Sequence, residues 1–147
     1  MFEIWDDPLQ LQPLIDAVSS PEAGAVVTFQ GTVRARSRGE SVQFLEYEAH
    51  RPMAEKALRE IGETAAQEWG SRVAITHRLG RLAVGETSIL VAVSAPHRRE
   101  AFAACQQVMD RVKEFLPVWK KEVTVSGSWW VEGAETVPIA GTHEDDS

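Results

Sequence analysis

The chain has 147 residues, of which 44% are hydrophobic and 25% charged, and its formal net charge is −7. That length suits one domain with one core, and the acidic balance argues against a general nucleic-acid or membrane-surface binder, which would carry excess lysine and arginine. The lone cysteine, Cys105, excludes an intrachain disulfide and a CxxC metal or redox site.

Phe2–Trp5 reads as a short strand and Pro8–Val18 as a weakly helical segment, followed by a loop of Ser, Pro and Gly. Ala25–Arg34 is β-branched and aromatic, which predicts a strand, and Gly31 inside it predicts a bulge or a close backbone approach. Ala35–Ser41 has no apolar period and contains a glycine, so an exposed, mobile loop is expected. Val42–Glu48 is the next strand. A helix follows from Pro52 to Trp69, with Ala54, Ala57, Leu58, Ile61, Ala65 and Trp69 as its buried stripe and Gly70 at its end. Arg72–Leu79 and Thr87–Ser94 are strands, with Gly80 and Gly85 marking the connection. Ser94 is placed to cap a second long helix and Pro96 suits its first turn. That helix runs from His97 to Phe115 on a stripe of Ala101, Cys105, Val108, Val112 and Phe115, and Leu116-Pro117 ends it. Glu122–Ser126 and Trp129–Glu132 predict a final hairpin across Gly127-Ser128. Residues 1–135 are read as one domain and 136–147 as a frayed tail. The mixed order predicts an α+β fold: a mixed sheet, two main helices and a C-terminal β-hairpin. No P-loop, GxGxxG, HExxH or GxSxG motif occurs. No apolar run approaches the about 18 residues of a membrane span, and Met1–Asp7 lacks the basic and apolar regions of a leader, so the cytoplasm is expected.

Positive groups gather around the second long helix: His97, Arg98 and Arg99 at its start, Lys113 near its end, and Lys120 and Lys121 just beyond. In an acidic chain, a focused positive site for a small anion is the simplest reason for such a cluster. A cation near a helix C-terminus is favourable by itself, so Lys113 has a purely structural explanation. A second one is that Pro117 and Trp119 hold Lys120 back towards Lys113, where two ammonium groups depress each other and suit acid–base work. The unpaired N–H groups around His97 and Arg98 can accept a phosphate. Arg34 ends a strand beside Gly31, whereas Arg36 and Arg38 read as solvated loop residues. Cys105 lies in the apolar stripe, a small hydrophobe and not a nucleophile. His97 and Lys113 are 16 positions apart on an unbroken helix, ~24 Å of rise. They cannot meet around one small substrate within one chain, which predicts a symmetric dimer with shared sites.

Blocks along the chain resemble the MoaE family, the catalytic subunits of molybdopterin synthase. They include Gly24–Phe29, Gly31–Arg34, Glu48–Ala57, His77–Gly80, Ser94–Arg98, Met109-Asp110, Lys113, Pro117–Glu122 and Trp130–Glu132. The resemblance implies an α/β-hammerhead-type fold. It implies a homodimer carrying one small ubiquitin-like sulfur-carrier subunit at each end. The implied reaction moves sulfur from the carrier's C-terminal thiocarboxylate to cyclic pyranopterin monophosphate, making the molybdopterin dithiolene, with no metal and no cofactor. Lys113 and Lys120 match the family's catalytic lysines. Arg34, His97 and Arg98 match its substrate anchors, Thr32 and Val33 line the pocket by backbone, and Lys121 and Glu122 belong to the binding segment. Lys121 stands where relatives often carry arginine, and Gly133-Ala134 where some carry a basic residue.

Overall fold

The computed structural model describes residues 1–132 and 135–138. Its elements are β1 (Phe2–Trp5), α1 (Gln12–Val18), β2 (Ala25–Thr32), β3 (Arg36–Ser37), β4 (Glu40–Ala49), α2 (Arg51–Trp69), β5 (Arg72–Arg78), β6 (Gly80–Ala83), β7 (Thr87–Ala95), α3 (Arg98–Phe115), β8 (Val118–Thr124), β9 (Gly127–Glu132) and β10 (Glu135–Pro138). The class is α+β, as expected. One sheet has the order β1-β5-β7-β2. The other runs β10-β9-β8-β4-β3, with β6 also paired to β4. Only β1 with β5 is parallel among these pairs.

The four-stranded sheet is covered on both sides. Ile75, Val91 and Val93 pack with Ala54, Leu58 and Ala65 of α2 and Ala104, Cys105 and Val108 of α3. Ala74, Leu90 and Ala92 face Leu14 and Val18 of α1 on the other side. This explains why β7 reads as an unbroken apolar run, because a strand buried on both faces does not alternate. A separate cluster, Val33, Val42, Leu45 and Leu82 with Tyr47, sits on the second sheet. Helix α2 lies tight on β1: a Cβ on Gly62 would collide with the Phe2 ring. Gly70 closes α2 in the left-handed conformation, with φ of 59°.

Several expectations change. The first helix starts at Gln12, four residues later than read, with Pro13 in its first turn. The segment after Arg34 is a tight hairpin in place of the expected loop. Ser37 pairs with Glu40 across Arg38-Gly39, whose φ values of 53° and 78° are those of a two-residue turn matched to strand twist. The connection between β5 and β7 contains a strand of its own, β6, paired with Phe44–Tyr47. Ser94 does not cap α3. It is buried in β7, where its hydroxyl donates to the Val18 carbonyl, and His97 is the N-cap with no side-chain cap bond. Phe115 is exposed, not part of the buried stripe. The last hairpin turns at Val125-Ser126, because β8 starts at Val118 and pairs with β4 over its whole length. β10 pairs with β9 as far as Pro138. Residues 133–134 and 139–147, most of the expected tail, lie outside the described residues.

Candidate active site

A cleft of about 520 Å³ opens where the two sheets meet the C-terminal end of α3. Three local features aim side chains into it. Met109 and Lys113 are four residues apart on α3 and so share a face. Lys120 and Glu122 are two apart on β8 and share a face of that strand. At the end of β2 the pairing with β7 slips between Gly31 and Thr32, so Gly31 opposes Ile89 and Thr32 opposes Thr87. The predicted bulge is therefore present. Close approach is present too, since a Cβ on Gly31 would lie 2.7 Å from the Ile89 side chain. The slip turns the chain so that Thr32, Arg34 and Arg36 line the cleft.

The charge balance of this wall is opposite to that of the chain. Arg34, Arg36, Lys113 and Lys120 line the cleft with Glu122 as the one acid among them. Glu122 is paired to Arg38 at 3.3 Å, its side chain 7% exposed against 43% for the arginine. The cleft thus presents uncompensated cations, which concentrate a small anion. Burial lowers the Lys120 amine below its ordinary value, and Lys113 lowers it further. Arg34 and Arg38 act in the same direction, while Glu122 opposes them. The mutual depression expected for the two lysines is found at Lys120.

A chamber of about 250 Å³ adjoins the cleft and shares Tyr47, Ser88, Ile89, Met109, Lys113 and Lys120 with it. His77 also lines it. The Tyr47 and His77 rings meet edge to face, centroids 5.1 Å apart. Burial is the main cause that lowers His77 to about 4, and Lys120 adds to it, against the pull of a hydrogen bond to the Arg78 carbonyl. Burial also raises the Tyr47 hydroxyl, opposed by its hydrogen bond with Ser88. Cys105 is buried, and burial raises its thiol, in line with a core residue.

The remaining expected residues are elsewhere. Lys121 points to the opposite face of β8 from Lys120, its Nζ 2.9 Å from Glu46, which also binds Arg81. It does not line the cleft. Val33 is buried, and its backbone is engaged by the β6–β7 turn: its N–H donates to Glu86 and its carbonyl accepts from Gly85. It supports the wall and does not line it. His97 and Arg98 are exposed at the far end of α3. Neither side chain has a hydrogen-bond or ion-pair partner among the described residues. No group of three His, Cys, Asp or Glu suited to a metal occurs among the described residues.

Comparison with known proteins decides the family. The model of the MoaE protein family matches residues 4–115. The chain belongs to the MoaE family. A molybdopterin synthase catalytic subunit of Halalkalibacterium halodurans is 44% identical over 131 residues, which is 88% of this chain and 84% of that protein. One of Staphylococcus carnosus is 42% identical over 147 residues, covering 99% and 94%. The crystal structure of molybdopterin synthase from Staphylococcus aureus superposes with a TM-score of 0.85 at 41% identity, covering 88% of this chain and 96% of that one. The MoaE model spans Arg34, His97, Arg98 and Lys113. Lys120 lies beyond it, within the longer overlap with the Staphylococcus carnosus relative. Within this MoaE chain, the reading by residues alone overlooked Tyr47, Met109 and His77, and it took Arg36, which lines the cleft, for a solvated loop residue. A histidine two residues past the apolar run Val73–Ile75, near the end of its strand, was the one signal available for His77, which pairs with Ile89.

Proposed function

We propose that this chain is the sulfur-transferring subunit of a molybdopterin synthase, working in molybdenum cofactor biosynthesis. The observation that carries the reading is the meeting of Lys113 and Lys120, from two different elements, in one cationic cleft with Arg34. The substrate is a phosphorylated pterin, cyclic pyranopterin monophosphate. The sulfur donor is the C-terminal thiocarboxylate of a small ubiquitin-like carrier, which leaves as a carboxylate after water supplies the replacing oxygen. Arg34 holds the phosphate, and Lys113 orients the thiocarboxylate and assists addition and proton transfer. Lys120 as an ammonium stabilises the negative charge that develops on the leaving oxygens. Cys105 takes no part, because its thiol is buried in the core and the sulfur arrives with the carrier.

His97 and Arg98 enter from a second copy of the chain, so that each cleft of a homodimer is finished by its neighbour's α3 start. The exposed His97 and Arg98 side chains at that helix start, without partners among the described residues, support this arrangement. No helix among the described residues is long and apolar enough to cross a membrane, and we place the reaction in the cytoplasm. The test is a reaction of purified chain, thiocarboxylated carrier and cyclic pyranopterin monophosphate, followed by detection of the dithiolene product. Product formation that needs Lys113 supports the reading. Full turnover by Lys113→Ala contradicts the catalytic assignment, and no product with wild-type chain contradicts the function.

A further inference from the structure

The rear of the site holds a titratable group to which the mechanism gives no task. His77 Nδ1 lies 2.8 Å from the Arg78 carbonyl. A carbonyl only accepts, so Nδ1 carries the proton and Nε2 carries the lone pair. No partner for Nε2 is found among the described residues. The ring lines the chamber that Lys120 also lines. Tyr47 connects the two physically: it opposes Lys120 in the β4–β8 register and meets the His77 ring edge to face. Directly opposed side chains stand about 5 Å apart at Cβ, within contact distance.

We propose that His77 is a positioning residue for Lys120: its neutral ring, held edge to face against Tyr47, presents Nε2 in the shared chamber as an acceptor, and the Lys120 ammonium, which makes no hydrogen bond among the described residues, takes it up on turning towards the ring. The assignment rests on the reading of Lys120 as a working group of this site. The other groups facing Lys120 are Lys113 from α3, Glu122 from its own strand, and Arg34 and Arg38 from the segment between β2 and β4. Most of these are cations that push the amine towards neutrality. A buried imidazole that stays uncharged supplies an acceptor without adding a further positive charge, consistent with its lowered value of about 4. An acidic residue at this position would hold the ammonium more strongly but would cancel the anion-binding field.

The test is His77→Phe, which keeps a ring against Tyr47 and fills the chamber but removes the acceptor. Ionisation of Lys120 is read by pH-dependent acylation of the purified full chain and mass spectrometry, which requires no turnover. The expected result is a downward shift of the Lys120 midpoint by about one pH unit, since the charged form loses a hydrogen bond. The alkaline limb of kcat should move down with it, an about tenfold loss above the limb. An unchanged midpoint in folded His77→Phe overturns the proposal, even if the wild type is a competent synthase. A shifted midpoint in a chain without synthase activity upholds the pairing and rejects the functional reading. If His77→Phe does not fold, the ring nitrogen resonances of His77 decide. A change at Nε2 between wild type and Lys120→Ala supports the contact, and identical shifts overturn it.

Discussion

The two ends of α3 carry the same kind of charge and differ in nearly everything else. At the C-terminal end Lys113 enters a walled cleft, and Lys120 from β8 and Arg34 and Arg36 from the segment between β2 and β4 converge there. The surroundings are dry enough to lower Lys120 and His77. At the N-terminal end His97 and Arg98 stand exposed, without side-chain partners among the described residues. His97 occupies the N-cap position in an extended conformation suited to a capping serine or aspartate, yet makes no cap bond. The Arg98 guanidinium in the first turn also opposes the helix dipole. One end is a constructed site and the other is a fragment kept at a local cost. Under the proposed pairing that cost has a use, because the fragment completes a neighbour's cleft.

The comparison sharpens into substitutions with opposite effects on turnover and stability. The largest effect is expected for Lys113→Ala. Turnover should fall by about 10²–10³-fold, as for loss of a preorganised charge at a reacting centre, while the melting temperature stays within a few degrees because the side chain is exposed. Unchanged single-turnover rates would remove Lys113 from the chemistry. Next comes His97→Asp, which introduces a capping carboxylate at an uncapped helix start. The chain should gain about 1 kcal/mol in denaturant unfolding and lose synthase activity together. A gain in stability with full activity would make the far end of α3 irrelevant to function.

The smallest gain in stability is expected from Lys120→Met. The Lys120 amine is lowered in the folded chain, chiefly by burial. The folded state therefore releases its proton before the unfolded state does, and stability rises with pH between the lowered value and the ordinary 10.5. Below that window the folded chain carries the full cost of a desolvated ammonium. Lys120→Met should remove that cost and stabilise the chain near neutral pH by about 0.5–1 kcal/mol, with a flatter stability profile on the alkaline side. Destabilisation by the same substitution would show that Lys120 serves the fold and not the site.

Much of this was legible in the chain itself, for identifiable reasons. The two long helices follow from apolar spacing and from Gly70 and Pro117 at their ends, and both appear within a residue or two of the expected bounds. The bulge and close approach at Gly31 were readable because few other reasons put glycine inside a β-branched strand. The α3 end-to-end distance needed only the helix rise. What was lost depended on pairing between distant segments. The family resemblance placed Lys121 and Glu122 in one binding segment with Lys120, and the strand read as starting at Glu122 did not show which way each side chain points. Once β8 starts at Val118, alternation sends Lys121 to the other face, where Glu46 meets it. Arg36 looked solvated because the β3–β4 hairpin has no apolar period, and only its folded register brings Arg36 to the cleft. Tyr47 and His77 reach the chamber through contacts across β4, β5 and β8, and strand register of that kind is not written in local composition.

Co-assembly of two defective chains probes the composite site most directly. Lys113→Ala and His97→Ala chains are each expected to be inactive as pure dimers with the carrier and precursor. Mixed at equal amounts after dissociation, half of the dimers are heterodimers in which one cleft of two is intact, so about a quarter of wild-type turnover should return. No recovery in a mixture shown to contain heterodimers would mean that Lys113 and His97 do not serve one cleft across two chains.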